Sequence, residues 1–488
     1  MSFLSAERAR QTDPTRPVVI LGEQVVTYAE LDARVARAAG LLMEHGVGRG
    51  DRVALQLPKG LAFLELHLAA LGLGAATLPL NPTYTPREVA FYLEDAAPKL
   101  SVVADPGAAV WGRGLAAADA RAALDAAAPA ALPDQLDPET VAVLCYTSGT
   151  TGRPKGAVIT HRNLGATVRA LHTAWRWGRG DHLLHVLPLF HIHGLFVAMH
   201  GALYAGATTT WMTRFEPQRA LELLAERRCT MFMGVPTHYN RFLRLPAEAL
   251  APDLSGVRLF TSGSAPLPAR VHGAFAQRFG HRVLERYGMT EVGIVLSNPV
   301  DGVRKPGAVG RSVPGARLEI RDPDTGGRVP PGAVGELFHA GPSVIRAYLD
   351  RPEATAAAIQ QGWLRSGDMG RVDGDGDVHL VGRAKDLIIS GGLNVYPSEV
   401  EGALLEHPAV AEAAVVGEPD PDLGERVVAF VVAAPGAALE PAALVAFARE
   451  RLAPYKCPKA AQVVAALPRN AMGKVQKATL RAGFKPSI

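Results

Sequence analysis

The feature that most constrains the fold is a helical pattern followed by a short apolar run, repeated along the chain. Residues 27–46 carry apolar side chains at helical spacing, and the strand-like run 52–58 follows them. The same order recurs at 87–98 and 100–105, and again at 219–229 and 230–236. Because alternating helices and strands pack as helices against largely parallel sheets, the chain is predicted to be an α/β protein.

A second type of pattern begins near residue 383. A turn-rich stretch, 372–392, leads into a helix that starts at Pro397, two strand-like runs at 410–417 and 425–433, and a helix at 443–452. Since 488 residues exceed what one core usually serves, we expect a large domain over 1–382, a hinge at 383–387 and a small α+β domain over 388–488. Residues 113–139, rich in Ala, Pro and Asp, predict a surface excursion.

Composition and charge exclude several classes of protein. A net charge of +4 without a basic run broken by aromatics makes nucleic acid an unexpected partner. Three cysteines far apart, Cys145, Cys229 and Cys457, indicate neither a disulfide framework nor a local metal site, which fits a reducing, cytoplasmic setting. The N-terminus has no signal-peptide pattern. The apolar segment 61–80 contains Glu65 and His67, so it predicts a buried helix running into a strand rather than a membrane span.

The strongest local motif is TSGTTGRPKG at 147–156, directly after the strand-like run VAVLCY. A run of Gly, Ser and Thr lets the backbone curl so that N–H and hydroxyl donors face one concavity, and Lys155 adds a positive charge. These features suit a polyphosphate. The spacing of a Walker A loop is absent, and an isolated stretch of this kind would as readily be a flexible loop.

Six further motifs follow this one in order: PLFHIHG (188–194), TSGSAPL (261–267), YGMTE (287–291), WLRSGD (363–368), GRAKDLIISGG (382–392) and PRNAMGKVQK (468–477). The ordered set spans nearly the whole chain and resembles the adenylate-forming acyl-CoA synthetases. The resemblance implies a two-step reaction with ATP, Mg²⁺ and coenzyme A. A carboxylate attacks the α-phosphate to give an acyl-adenylate and pyrophosphate, and the CoA thiol then displaces AMP.

The resemblance also assigns roles to particular residues. Lys474, Thr290 and Glu291 are the implied catalytic residues. Glu291 is the magnesium ligand, and Lys474 bridges the substrate carboxylate and the α-phosphate. The implied nucleotide-binding residues are Thr147, Ser148, Gly149, Thr150, Thr151, Lys155, Ser264, Ala265, Tyr287, Gly288, Asp368 and Arg383, of which Asp368 and Arg383 contact the ribose. In this family the small domain rotates between the two steps, which makes Lys385 the hinge and places Gly391 and Gly392 along the pantetheine tunnel.

The acid is indicated by Arg286, which stands immediately before YGMTE, and by Arg241, which closes GVPTHYNR (234–241). A buried guanidinium without a partner costs several kcal/mol, and its fork matches a carboxylate, so two arginines favour a dicarboxylic substrate. This combination resembles the malonyl-CoA synthetase group, with His193 and Ser262 as further polar contacts to malonate or a methylmalonate-like acid. Alternatively, the arginines form structural pairs, for example with Glu285 or Glu291.

Three other functions stay open at this point. With a structural Arg286, the chain would be a CoA ligase for a short-chain or aromatic monocarboxylic acid. It could also adenylate an acid and load a carrier protein in trans, because few residues remain after Lys474. A non-catalytic role is the least expected, since Thr290, Glu291, Asp368 and Lys474 are all present.

Overall fold

The computed structural model describes residues 13–105, 107, 112–147, 154–246, 253–391, 393–469 and 475–483. A π-helical segment spans His193–His200, and a short 3-10 helix spans Ala384–Asp386. The α-helices of the described residues are Tyr28–Glu44, Leu61–Leu73, Pro86–Ala96, Ala120–Ala126, His161–Ala174, Gly201–Ala205, Pro217–Glu226, Pro236–Leu243, Ala269–Phe279, Pro352–Ala358, Pro397–Leu405, Pro441–Arg449 and Lys477–Gly483.

The large domain contains two extended sheets. Within the described residues, the first has fourteen strands. Thirteen of them follow one another in the order Arg317–Arg321, Gly335–Ala340, Trp363–Val372, Val378–Arg383, Ala308–Ser312, Gly293–Ser297, Leu284–Met289, Leu259–Ser262, Met231–Gly234, His182–His185, Thr208–Trp211, Pro17–Leu21, Gln24–Thr27. The fourteenth, Ile359–Gln360, pairs with Trp363–Val372 outside this order. The second has seven, in the order Ala347–Tyr348, Lys155–Thr160, Val141–Thr147, Ala76–Pro79, Arg52–Leu55, Leu100–Val103, Arg113–Ala116. Both contain a run of parallel strands, as the repeated helix–strand pattern predicted.

The small domain is built on a separate, mostly antiparallel sheet. The order is Leu393–Val395, Ile388–Ser390, Gly424–Ala433, Val410–Asp420, and Ala460–Val463 pairs in parallel with Gly424–Ala433. Its apolar core begins at Ile388, whereas the core of the large domain reaches Val378 and Leu380. The predicted class, a large α/β domain followed by a small α+β domain, is confirmed.

Local sequence explains where several helices begin. The helix predicted at 27–46 spans Tyr28–Glu44 and starts with a capping box, in which Thr27 and Glu30 exchange side-chain and backbone hydrogen bonds. The apolar segment 61–80 forms the helix Leu61–Leu73 and the strand Ala76–Pro79, as predicted. Its Glu65 is fully buried and lies 2.8 Å from a guanidinium nitrogen of Arg121, which satisfies the charge.

The stretch 113–139 lies largely at the surface, as expected, but it also contains regular structure. It contributes the strand Arg113–Ala116 and the helix Ala120–Ala126, whose Leu124 is fully buried. Alanine-rich sequence hides the pattern, because alanine marks neither face of a helix clearly. No helix of the described part of the chain is long and apolar enough to cross a membrane.

Candidate active site

Four neighbouring parallel strands place the predicted acyl-pocket segments at one edge of the first sheet. The strands His182–His185, Met231–Gly234, Leu259–Ser262 and Leu284–Met289 are adjacent and parallel. PLFHIHG, the helix Pro236–Leu243 and Gly263–Ser264 follow the carboxyl ends of the first three strands, and Arg286 lies in the fourth. Segments far apart in sequence therefore meet where open α/β sheets bind ligands.

Arg286 is buried and has no anionic partner among the residues that the structure describes. Its side chain is 5% exposed, and neither Nε nor Nη2 has a hydrogen-bond partner among the described residues. A Cβ on Gly263 would overlap its guanidinium group, so any other residue at that position would displace the guanidinium from where it lies. Burial lowers the pKa of Arg286 from its ordinary value to about 9. A group in this state is poised to bind an anion.

Other buried polar atoms of these strands and loops also lack a hydrogen-bond partner in the described structure. His193 Nε2, Ser262 Oγ and Thr261 Oγ1 are all buried without a hydrogen-bond partner in the described structure. Ser264 adopts a φ of 68°, which is uncommon for a residue with a side chain, and its Oγ lies 3.3 Å from His193 Nδ1. Burial, followed by Arg286, lowers the pKa of His193 well below its ordinary value, so its ring is neutral. A neutral imidazole can donate from Nε2 while Nδ1 accepts from the serine.

The two glutamates near Arg286 in sequence are engaged elsewhere. Glu285 Oε1 accepts from the backbone N–H of Gly307 at 3.0 Å, and burial raises the pKa of Glu285 to about 7. Glu291 Oε1 accepts from the hydroxyl of Tyr348 at 2.9 Å. Structural pairing of Arg286 with Glu285 or Glu291 is therefore absent from the described contacts.

Arg241 is placed differently from Arg286. It lies in the last turn of the helix Pro236–Leu243, whose buried positions are Pro236, Tyr239 and Phe242. This spacing puts one helix face against the core and leaves the side chain of Arg241 exposed. A role of Arg241 in binding the acid stays a prediction of the sequence.

Tyr287 and Arg383 hold the predicted ribose-binding carboxylate from two sides. The hydroxyl of Tyr287 donates to Asp368 Oδ2 at 2.6 Å, and Arg383 Nε lies 3.0 Å from Asp368 Oδ1. Burial, followed by Asp368, raises the pKa of Tyr287 well above its ordinary value, so its hydroxyl remains a donor. The side chains of WLRSGD, YGMTE and GRAKD are thus brought together.

The ends of the predicted phosphate loop are held in an antiparallel pair of strands. Thr147 closes one strand, Lys155 opens the next, and the two residues are paired. Lys155 Nζ lies 5.0 Å from the ring centroid of Tyr348, the residue whose hydroxyl donates to Glu291. The sequence analysis missed Tyr348, which links the lysine of one motif to the carboxylate of another. Ser148, Gly149, Thr150 and Thr151 lie outside the described residues.

The remaining predicted site residues fall in several places. Ala265 and Thr290 lie beside Ser264 and Glu291, and Gly288 packs so closely on Gly293 that a Cβ would overlap its carbonyl oxygen. Lys385 is exposed in the 3-10 helix between the two domains, and Gly391 has a φ of 59°. Gly392 and Lys474 lie outside the described residues, although Arg469 and Val475 on either side of Lys474 are paired as an antiparallel bridge.

Glu291 fits the binding of magnesium in the company of a nucleotide. Within the described ranges, no group of three or more His, Cys, Asp or Glu side chains is arranged to hold a metal ion. Magnesium is commonly bound by one or two protein carboxylates together with substrate phosphates. A single buried carboxylate oriented by Tyr348 beside a phosphate loop is consistent with that mode.

Comparison with known proteins connects this geometry to an enzyme family. Residues 6–349 match the profile of the AMP-binding enzymes, and residues 399–474 match that of the AMP-binding enzyme C-terminal domain. The chain is 39% identical over 486 residues to feruloyl-CoA synthase of an Amycolatopsis species, covering 98% of this chain and 97% of that one. It is 40% identical over 400 residues to the human mitochondrial malonate–CoA ligase ACSF3, covering 75% and 69% of the two chains.

The fold has a similar solved counterpart. The crystal structure of ATP-bound MatB from Rhodopseudomonas palustris superposes with a TM-score of 0.92 at 40% identity, and the match covers 99% of each chain. The match extends over both domains, so it includes their relative arrangement. The relatives differ in the acid that their names give, which makes the acyl pocket the region that must decide the substrate.

Proposed function

This chain belongs to the family of AMP-binding enzymes, and from that premise we propose that its acid substrate is malonate or a similarly short dicarboxylate. The reaction of the chain is the ATP-dependent ligation of a carboxylic acid to coenzyme A through an acyl-adenylate. The proposal concerns which acid enters that reaction and which residues recognise it.

The observation that carries the proposal is the buried guanidinium of Arg286, whose Nε and Nη2 have no hydrogen-bond partner in the described part of the chain. A buried charge without a partner is costly, and the cost is recovered when an anion enters and accepts from both free N–H groups. One carboxylate of the acid must remain free to attack ATP, so the anion at Arg286 is a second carboxylate on the same molecule. His193 Nε2 and Ser262 Oγ are buried without a hydrogen-bond partner among the described residues, and we assign them as further donors to the acid.

In the proposed first step, the residues around ATP bring an anion against a polyanion. Thr147 and Lys155, with the loop between them, hold the β- and γ-phosphates, while Asp368 and Arg383 hold the ribose. Glu291 and Thr290 would hold Mg²⁺, which would supply positive charge to offset the negative charge developing on the phosphates. Lys474 places its ammonium between the acid carboxylate and the α-phosphate. Catalysis at this step is positioning and charge stabilisation.

In the proposed second step, the domain that carries Lys474 must leave the face that the CoA thiol approaches. We assign the hinge to Lys385, which is exposed between the two cores. The backbone at Gly391 and Gly392 then borders the path of pantetheine, where a side chain would obstruct passage. This division into 1–382, 383–387 and 388–488 gives each step its own domain arrangement.

A competition experiment tests the substrate. The protein is given malonate, butyrate and benzoate at equal concentrations, with ATP, Mg²⁺ and limiting CoA, and the thioesters are identified by mass spectrometry. We expect malonyl-CoA to be the dominant product, because malonate alone has a second carboxylate for Arg286. Butyryl-CoA or benzoyl-CoA as the main product would contradict the proposal and favour a monocarboxylate ligase.

A carrier protein as acceptor is tested in the same assay. Omitting CoA and adding a phosphopantetheinylated carrier protein asks whether the adenylate is transferred there instead. We expect CoA to be the better acceptor by at least about tenfold in rate, which corresponds to about 1.4 kcal/mol in the barrier.

A further inference from the structure

A lysine behind the acyl pocket joins the two large sheets. Lys59 Nζ lies 2.8 Å from His185 Nδ1, 2.6 Å from the carbonyl oxygen of His185 and 3.1 Å from that of Met212. Lys59 precedes the helix Leu61–Leu73, whereas His185 and Met212 stand at the carboxyl ends of neighbouring parallel strands. Three acceptors therefore surround Lys59 Nζ, enough for every proton of its charged form, although burial lowers the pKa of Lys59 well below its ordinary value.

The contact continues through the ring of His185. His185 Nε2 lies 2.9 Å from the carbonyl oxygen of Gly194. Because a carbonyl oxygen only accepts, Nε2 carries the proton and Nδ1 is the acceptor for Lys59. Burial, followed by Lys59, lowers the pKa of His185 well below its ordinary value, which keeps the ring neutral. The tautomer is thereby fixed, and the direction of the chain of hydrogen bonds runs from Lys59 to Gly194.

Gly194 connects these hydrogen bonds to the acyl pocket, because it follows His193 in sequence. The backbone there passes so close to Pro188 that a Cβ on Gly194 would overlap the carbonyl oxygen of Pro188. The peptide is therefore held by packing on one side and by His185 on the other. His193 begins the π-helical segment His193–His200, and its buried Nε2 has no hydrogen-bond partner in the described structure. π-helical turns often occur at functional sites.

We propose that Lys59 and His185 are positioning residues for acid recognition, which hold His193 through the carbonyl group of Gly194 so that its free Nε2 faces the acid. Neither residue touches the acid or ATP in this account. The inference rests on the proposed function only in taking the acyl pocket to lie at Arg286 and His193. It extends that function, because Lys59 and His185, which lie outside the pocket, then contribute to the affinity for the acid.

The test is a double-mutant cycle between Lys59 and His193, read from pyrophosphate release by the full-length protein. Lys59→Met is expected to raise KM for malonate about tenfold, the size of one lost hydrogen bond to the substrate, while KM for ATP changes less than about twofold. In a His193→Ala background, Lys59→Met is expected to change the malonate KM by less than about twofold, because the residue that it positions is gone.

Arg258→Met is the matched control. Arg258 lies at the other end of the strand His182–His185, where its Nη2 is 2.7 Å from Asp181. Its Nη1 is 2.9 Å from the carbonyl oxygen of Trp175. We expect it to lower Tm without changing the malonate KM. His185→Phe keeps an aromatic ring against Trp211 and removes both ring hydrogen bonds. It must therefore reproduce the Lys59→Met pattern. If Lys59→Met does not fold, His185→Phe takes its place in the cycle.

Two results would overturn the proposal. One is an unchanged malonate KM in folded Lys59→Met or His185→Phe protein, with a loss of Tm like that of Arg258→Met, which would make the contact purely structural. The other is an equal rise in KM with and without His193. If the wild-type protein does not use malonate, the proposed function fails, and the same cycle is run with the acid that wins the competition experiment.

Discussion

Replacing Arg286 by methionine is expected to lower kcat/KM for malonate by roughly 10²- to 10⁴-fold, while kcat/KM for butyrate changes little. The reason is that the distal carboxylate loses a buried, charged partner, which costs about 3–5 kcal/mol. Butyrate has no such group to lose. Initial rates of pyrophosphate release with each acid measure both values.

The same substitution is expected to raise stability while it lowers activity. Because Arg286 is buried without a partner in the described contacts, its removal should raise Tm of the ligand-free protein, and malonate should no longer raise it further. Arg282→Met removes an exposed arginine near the start of the same strand and should change neither the kinetics nor Tm. An equal loss of activity with malonate and butyrate, or a lower Tm, would show that Arg286 is a structural residue.

Replacing Lys474 by alanine is expected to lower pyrophosphate release by roughly 10²- to 10³-fold, the usual effect of removing one group that stabilises developing charge. Thioester formation from preformed malonyl-adenylate and CoA should stay within about threefold of wild type, since Lys474 has left the site by that step. The two half-reactions are followed separately, by pyrophosphate detection and by chromatography of the thioester.

Lys477→Ala is the matched control for this variant. Lys477 lies three residues further on, and its Nζ is 2.7 Å from Glu401 within the small domain. Its loss should leave both half-reactions within about twofold of wild type. Equal inhibition of both half-reactions in Lys474→Ala protein would contradict the assignment of separate domain arrangements to the two steps.

The alternating part of the fold follows from the sequence because its helices are amphipathic and end at turn residues. The helix Tyr28–Glu44 and the strand Arg52–Leu55 are examples. The pairing of strands that are distant in the sequence could not be predicted in this way. The strand Leu284–Met289 pairs in parallel with Leu259–Ser262 on one side and antiparallel with Gly293–Ser297 on the other, and the local residue pattern of a strand does not specify its partner.

At the site, too, some features follow from the local sequence and others depend on contacts between distant residues. Arg286 stands out in the sequence because a guanidinium among small residues needs an anion. Whether that anion comes from the protein depends on where Glu285 and Glu291 direct their carboxylates, and Glu291 is held by Tyr348, 57 residues away. The contact of Lys59 with His185 spans 126 residues, and no local pattern marks either residue.

The most direct test of the central claim compares malonate with acetoacetate, in which a methyl group replaces one oxygen of the distal carboxylate. The two acids have nearly the same shape and share the carboxylate that attacks ATP, so they differ in the charge offered to Arg286. We predict that kcat/KM for pyrophosphate release by the wild-type protein is at least roughly 10²-fold higher with malonate, as expected when a buried guanidinium gains its partner. Equal values for the two acids, or a higher value for acetoacetate, would contradict the claim that Arg286 selects a dicarboxylic substrate.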